Sequence, residues 1–249
     1  MACEAGALIL AARAGGVSDV GTKSTGTDMV TEHDRASELL IVRLLRDARP
    51  GDGLLGEEGA DQPSTTGITW VVDPIDGTTN FLYGLPGYAV SVAAVDEHGP
   101  VAGAVHTPVW GDTWTAARGA GAARNGRPAR CGTATDLRQA LVATGFGYAA
   151  HDREGQARVL TTVLPRVRDI RRFGAASVDL CFAGDGRVDA YFEINLKPWD
   201  LSAGALVAAE AGCVVTDFAG GPPGEHGVVA ANPGLHEQLI GLLAEAGAG

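Results

Sequence analysis

Runs of apolar positions separated by polar, glycine-rich breaks divide this 249-residue chain into two halves of different character. Residues 2–13 read as an apolar-rich helix stopped at Gly15-Gly16, and a polar loop follows over about 17–30. A second helix begins at Thr31-Glu32-His33-Asp34, where Thr caps and Asp stands three residues later as in a capping box. Its apolar positions run through Leu39, Leu40, Val42, Leu44 and Leu45, and Pro50-Gly51 ends it. Short strands are predicted at 69–72 and 88–95, the second turning at His98-Gly99-Pro100 into 101–106, then 112–117, with Asn125-Gly126 marking a further hairpin. From there the elements alternate. Strands are expected at 141–146, 169–173, 188–193, 213–218 and 227–231, and helices at 154–168, 175–184, 200–212 and 234–246. The pattern predicts helices plus an antiparallel sheet over about 1–135 and an α/β layer arrangement over about 136–249. With no long linker or repeat, these are sub-domains of one domain spanning 1–249, and the cleft between them is the default site.

Composition narrows the classes. A hydrophobic content of 45% and a mean hydropathy of +0.08 suffice for a substantial core. The longest nearly apolar runs, Ala5 to Ala12 and Leu201 to Ala209, fall short of the roughly 20 residues a membrane span needs, and no basic segment precedes them. A soluble, cytosolic chain is expected, with no membrane partner. The net charge of −11 argues against nucleic acid as a partner and suits a cation site. Cys3, Cys131, Cys181 and Cys213 have no CxxC spacing and read as buried thiols, and the isolated histidines offer no zinc pair. Gly51 to Gly56 matches GxGxxG but follows a helix, Gly16 to Ser24 misses the P-loop by one inserted residue, and no GxSxG occurs.

The informative stretch is Val71-Val-Asp-Pro-Ile-Asp-Gly-Thr-Thr-Asn-Phe81. Pro74 pushes Asp73 away from the helical region, so Asp73 is expected at a strand end and Asp76 one turn on, with the chain reversing between them. Both carboxylates can then face one point, with the Ile75 carbonyl as a third oxygen, a donor set suited to Mg²⁺. The same residues also suit an ordinary turn with a helix cap. Glu57-Glu58 lies in a Gly-flanked turn, Trp199-Asp200 opens a helix that Asp200 could simply cap, and Glu193 ends the strand before that helix, facing the same crevice. Acids converging there would repel one another unless divalent ions neutralise them. The amides of Gly77, Thr78 and Thr79 can bind phosphate, and Gly174-Ala175-Ala176-Ser177 is either a second anion cradle or a close helix contact. Metals beside a phosphate cradle mean phosphoryl chemistry, and two ions allow direct attack by water without a covalent intermediate.

Gly56-Glu57-Glu58, Asp73 to Phe81 and Trp199-Asp200-Leu-Ser-Ala-Gly resemble, in order, the three motifs of the inositol monophosphatase family. The resemblance spans essentially the whole chain. It implies an α+β, α/β-type layered αβαβα sandwich of the inositol monophosphatase and fructose-1,6-bisphosphatase kind. It further implies Mg²⁺-dependent, lithium-sensitive hydrolysis of a phosphate monoester, with two to three ions, in a cytoplasmic homodimer. By that resemblance Glu57, Asp73 and the Ile75 carbonyl hold one metal, Asp73, Asp76 and Asp200 a second, and Glu57 faces a weaker third. Thr78, linked to Asp34, orients the attacking water, and Lys23 sits near metals and phosphate. The Gly77 and Thr78 amides hold phosphate, while Asp76, Ala176 and Glu193 contact the polyol. Glu58 is support, and Asp28 matches a loop position without an assigned role. The leading substrate is myo-inositol 1-phosphate. Histidinol phosphate, fructose 1,6-bisphosphate and adenosine 3′,5′-bisphosphate are alternatives on the same metal core, and Arg171, Arg172 or Lys197 are candidate clamps for a second phosphate. A non-catalytic phosphate-ligand or regulatory module is the reading from a different class.

Overall fold

The first two expected helices form α1 (Ala2–Ala14) and α2 (Glu32–Ala48), packed together with Ala5, Ile9, Ile41 and Leu45 buried between them and a sheet. The computed structural model describes residues 1–15, 21–23 and 29–248, so Asp28 and most of the 17–30 loop lie outside the described residues. Thr31 caps α2 as its sequence requires: its hydroxyl accepts from the His33 N–H at 3.1 Å, and Asp34 reaches back to the Thr31 N–H at 2.8 Å. Strands β1 (Gly21–Thr22) and β2 (Met29–Val30) pair as a small ribbon between the helices.

The chain then builds an eight-stranded sheet from β3 (Gly53–Gly56), β4 (Asp61–Gln62) and β5 (Thr69–Asp76), the short helix α3 (Thr78–Tyr83) intervening, followed by β6 (Ala89–Asp96), β7 (Gly99–Thr107), β8 (Asp112–Ala117), β9 (Gly121–Arg124) and β10 (Arg127–Pro128). Its order is β10-β9-β8-β7-β6-β5-β3-β4. Asn125 and Gly126 take positive φ of 50° and 75° between β9 and β10, the two-residue turn that their sequence favours. Every neighbouring pair is antiparallel except β3 and β5, which run parallel with Gly56 opposite Val72. That exception brings Glu57 out of the sheet beside Asp73, and the Glu57 N–H donates to the Val72 carbonyl at 3.1 Å.

The second half contains β11 (Leu141–Thr144), α4 (Ala150–Val163), β12 (Asp169–Arg171), α5 (Ala176–Gly184), β13 (Ala190–Glu193), α6 (Pro198–Glu210), β14 (Val214–Thr216), β15 (Val228–Ala231) and α7 (Pro233–Glu245). Its five strands run β12-β11-β13-β15-β14. Helices α1 and α2 cover one face of the first sheet, α5 and α6 fill the space between the sheets, and α4 and α7 cover the outer face of the second. This is the αβαβα layering that the resemblance implies. One apolar cluster, including Trp114, Leu180, Tyr191 and Val207, surrounds the central helices and touches both sheets. Burying Leu180 and Val207 contributes about 1.5–3 kcal/mol apiece.

Small residues let the middle layer close. A Cβ at Gly103 on β7 would stand 3.0 Å from the Ala203 Cα of α6, and one at Gly204 would stand 2.9 Å from both the Leu180 Cβ and the Ser177 carbonyl of α5. Side chains at these points would push the layers apart.

Four local expectations need correction. The chain does not reverse between Asp73 and Asp76: β5 continues through Pro74 to Asp76, and its register against β6 shifts between the two acids. The missing Pro74 N–H is absorbed by that irregularity. The helix expected at 154–168 spans α4 and then tightens into a 3₁₀ turn at Leu164–Arg166, because Pro165 cannot continue an α-helix. Of the four cysteines read as buried thiols, Cys181 and Cys213 are buried but Cys3 is exposed and Cys131 half-buried. In the second sheet β12, β11 and β13 are parallel, and β15 runs antiparallel to both β13 and β14.

Candidate active site

The irregular end of β5 is pinned from two sides. The Ser37 hydroxyl of α2 donates to the Pro74 carbonyl at 3.1 Å, and Asp73 Oδ1 accepts the Ile75 N–H at 3.0 Å. Asp73 and Asp76 are both buried there. The first turn of α6 approaches from the middle layer, tied to β6 by the Ser91 hydroxyl donating to the Trp199 carbonyl at 3.2 Å. Asp200 is not the N-cap of α6; Lys197 is, and Asp200 Oδ2 accepts the Lys197 N–H at 2.6 Å from the third helical position. One carboxylate oxygen from each of Asp73, Asp76 and Asp200 lies within 4.8 Å of the others.

Three acids this close are costly to ionise. Burial pushes the Asp73 carboxyl well above the usual range, with Glu57, Asp76 and Asp200 adding to the effect. Burial also lifts Asp200 well up, Asp76 adding, while the Lys197 N–H opposes. Asp76 is raised by burial but held back by Ser177, which donates from its N–H at 2.7 Å and its hydroxyl at 2.5 Å. Among the described residues, no Lys or Arg forms an ion pair with any of the three. A cluster of hard carboxylate oxygens without its own counter-charge fits a divalent cation of the Mg²⁺, Mn²⁺ or Ca²⁺ type.

Glu57 adjoins this cluster through Asp73, but its Oε1 accepts from Lys23 Nζ at 2.7 Å, and Lys23 also pairs with Glu58. Burial raises the Glu57 carboxyl and Lys23 opposes. Burial would lower the Lys23 ammonium, yet Glu57 and Glu58 outweigh it and hold its pKa up.

On the next side, the Thr78 hydroxyl donates to the Ile75 carbonyl at 3.0 Å and stands 3.3 Å from Asp34 Oδ1. Asp34 is sealed from solvent, its other oxygen held by the Thr31 N–H and hydroxyl. Both sequence readings of Asp34, helix cap and partner of Thr78, thus describe the same side chain. Gly77 precedes α3 with φ of 85°, and a Cβ on it would stand 3.1 Å from both the Ala175 Cβ and the Gly174 carbonyl. The two glycine-containing segments therefore touch, with Ala175 capping α5 and Ala176 beginning it.

Glu193 ends β13 with its Oε2 accepting from the Tyr191 hydroxyl at 2.6 Å. Burial brings its pKa up to about 7, against the opposing effects of Tyr191 and Arg172. Gly145 leaves the room for it, since a Cβ there would collide with both Glu193 oxygens. A cavity of about 690 Å³ opens beside Glu193, over Phe146 and Phe192, on the outer side of the second sheet; Asp73, Asp76 and Asp200 do not line it.

The structure adds residues that the motifs did not single out. Ser177 fixes Asp76, and Tyr191 fixes Glu193 from two residues back on the same strand face. Asp179 of α5 is buried; burial raises its carboxyl well above the usual range, Glu193 and Asp76 adding and Arg172 and the Gly174 backbone N–H opposing. Its one sequence signal is an acid inside the otherwise apolar Val178-Asp-Leu-Cys-Phe182.

Comparison with known proteins places this geometry. The model of the Inositol monophosphatase family matches residues 1–248. An inositol-1-monophosphatase of Mycobacterium leprae is 46% identical over 241 residues, covering 92% of this chain and 83% of the relative. The structure of Mycobacterium tuberculosis SuhB, 42% identical, covers 99% of this chain and 94% of its own with a TM-score of 0.86. The extragenic suppressor protein SuhB of Bartonella henselae, 35% identical, superimposes with a TM-score of 0.92 over 97% of this chain and 95% of its own.

Proposed function

The chain belongs to the inositol monophosphatase family, and from that premise we propose that this phosphate-monoester hydrolase is Mg²⁺-dependent and acts on myo-inositol 1-phosphate, releasing myo-inositol and phosphate. The observation that carries the reading is the convergence of Asp73, Asp76 and Asp200 from two sub-domains beside the Asp34–Thr78 pair. Glu57, Asp73 and the Ile75 carbonyl are the ligands assigned to one ion, Asp73, Asp76 and Asp200 to a second, and Glu57 to a weaker third. When bound, such ions supply Lewis acidity, offsetting phosphate charge and making an attacking water more acidic.

The chain's own groups do the rest. The Thr78 hydroxyl spends its proton on the Ile75 carbonyl or Asp34, so its lone pairs are free to accept a hydrogen bond from water and aim it. As the water attacks, its proton passes to the Thr78 oxygen while Thr78 gives its own to Asp34 Oδ1, the oxygen that Thr31 leaves open. The Gly77 and Thr78 amides open α3, have no acceptor within that helix and hold phosphate oxygens. Gly174, Ala175 and Ala176 lie against them and close the cradle. Lys23 balances the acids of Glu57 and Glu58 at the mouth. Glu193 keeps one oxygen for a ring hydroxyl while Tyr191 holds the other, and Asp76 and Ala176 border the same alcohol.

The reading extends to inhibition by lithium, a homodimer and a cytosolic location. Among the described residues no helix is long and apolar enough to cross a membrane. The test is phosphate release with Mg²⁺ from inositol 1-phosphate, histidinol phosphate, fructose 1,6-bisphosphate and adenosine 3′,5′-bisphosphate, with EDTA and Asp200→Asn controls. Preference for inositol 1-phosphate, lost in both controls, is expected. Metal-dependent release favouring another ester would replace the substrate, and no release from any would sink the reading.

A further inference from the structure

Two cysteines that lie far apart in the chain meet in the fold. Cys131 stands just past β10, at the edge of the first sheet, and Cys213 stands between α6 and β14, at the edge of the second. The Cys131 N–H donates to the Ala211 carbonyl at 3.0 Å, and a Cβ at Gly212 would stand 3.5 Å from Cys131 Sγ. The Cys131 thiol therefore lies along the turn that leads into Cys213, packed on the apolar cluster to which Cys213 belongs. The two thiols are hydrogen-bonded to each other, and Cys213 Sγ also donates to the Ala183 carbonyl at 3.5 Å, which leaves Cys131 to donate to the Cys213 sulfur. Their exposures differ: Cys131 is half-buried and can be reached from solvent, whereas Cys213 is buried. The remaining two are placed otherwise. Cys3 is exposed with its Sγ 3.7 Å from the Thr113 hydroxyl, and Cys181 is sealed inside α5.

We propose that Cys131 and Cys213 form an oxidation site, at which hydrogen peroxide converts the thiol pair into a disulfide that staples the edge of the first sheet to the end of α6. The Cys131 sulfur, the one open to solvent, attacks a peroxide oxygen; the O–O bond breaks, the other oxygen leaves as water with the thiol proton, and Cys131 becomes a sulfenic acid. The Cys213 sulfur then attacks the Cys131 sulfur, the S–O bond breaks, and the hydroxyl leaves as a second water with the Cys213 proton. The two thiols together give up two electrons, and the peroxide takes them. A second thiol already in contact intercepts the sulfenic acid before further oxidation makes the change irreversible. The bond closes the loop that runs from β11 through α6, the helix whose first turn carries Asp200 to the acids of β5. It joins sulfurs that touch in the reduced fold and removes freedom from the unfolded chain, so the oxidised protein is the more stable form.

The test treats the whole protein with hydrogen peroxide, alkylates the thiols that remain, digests without reduction and reads the peptides by mass spectrometry, beside Cys131→Ser and Cys213→Ser. In the wild type two of the four cysteines should escape alkylation, joined in one peptide pair through Cys131 and Cys213. The same treatment should raise Tm by about 5–10 °C, and dithiothreitol should reverse both changes. In Cys213→Ser, Cys131 should stop at the sulfenic acid and be trapped by dimedone; in Cys131→Ser no bond should form to Cys213. Four thiols still open to alkylation after peroxide, a bond through Cys3 or Cys181 in place of this pair, or a Tm that the Cys131–Cys213 bond leaves unmoved or lowers would overturn the proposal. Should Cys213→Ser fail to fold, the joined peptides and the Tm of the wild type decide the matter without it.

Discussion

The Thr78 hydroxyl stands 3.3 Å from Asp34 Oδ1, joining a helix cap of the first layer to the end of the strand that carries the acid cluster. Thr31 occupies the other Asp34 oxygen, so the carboxylate cannot turn away. Replacing Thr78 by Ala should lower kcat by about 10²-fold or more with little change in KM, because a water-orienting group acts in the transition state. Thr78→Ser should keep most of the rate. Steady-state kinetics on inositol 1-phosphate decide it, and an Ala variant with unchanged kcat would remove Thr78 from the mechanism.

The acid cluster makes the metal-free protein sensitive to pH with a defined sign. Asp73 and Asp200 titrate higher when folded than in the unfolded chain, where Asp titrates near about 3.9. Their contribution to stability is therefore fully present below that value and is lost as pH rises through their raised folded values. His106 and His236, lowered by burial, change stability in the opposite sense, so the comparison needs a partner in which they are unaltered. In EDTA, Asp200→Asn should be more thermostable than the wild type at pH 8, with the gap closing toward pH 4. Thermal denaturation in EDTA measures it; a wild type that melts higher than the variant at pH 8 would contradict the assignment.

Glu193 should impose a pH dependence on binding. Its pKa of about 7 means that, as pH rises from 6 to 8, it gains charge and the oxygen that Tyr191 leaves open becomes a pure acceptor for a substrate hydroxyl. KM for inositol 1-phosphate should fall over that interval in the wild type more steeply than in Glu193→Gln. Parallel KM profiles for the two proteins would separate Glu193 from the substrate.

Gly145→Ala tests the same wall by volume. The added methyl would collide with the Glu193 carboxylate, so Glu193 must move off the Tyr191 hydroxyl. A loss of about 1–3 kcal/mol in stability and a raised KM are expected. Unchanged denaturant midpoint and unchanged KM would show that the wall yields freely.

Legibility followed the range of the interactions. The Thr31–Asp34 cap and the Asn125-Gly126 turn are decided within four residues, and both can be read from the letters alone. Strand β3 cannot: Leu54 and Leu55 are its only apolar side chains between two glycines, and its pairing depends on β5 lying alongside. Pro74 misleads in the same way, since a proline inside a strand argues for a turn until the register shift beside it is seen. The three motifs name the acids of the site, but the partners that hold them do not follow from spacing. Ser177 meets Asp76 across 101 positions, and Gly145 makes room for Glu193 from just past the end of β11.

The close approach of Gly103 to Ala203 sets the depth at which α6 delivers Asp200 to the acids of β5. The ligand set proposed for the second ion is incomplete without Asp200, and the contact that delivers it is made late in any folding sequence that forms local hairpins first. Affinity for that second cation is therefore a gauge of docking between halves, so a chain with both sheets formed but the middle layer ajar would look folded by its secondary structure and yet bind it weakly.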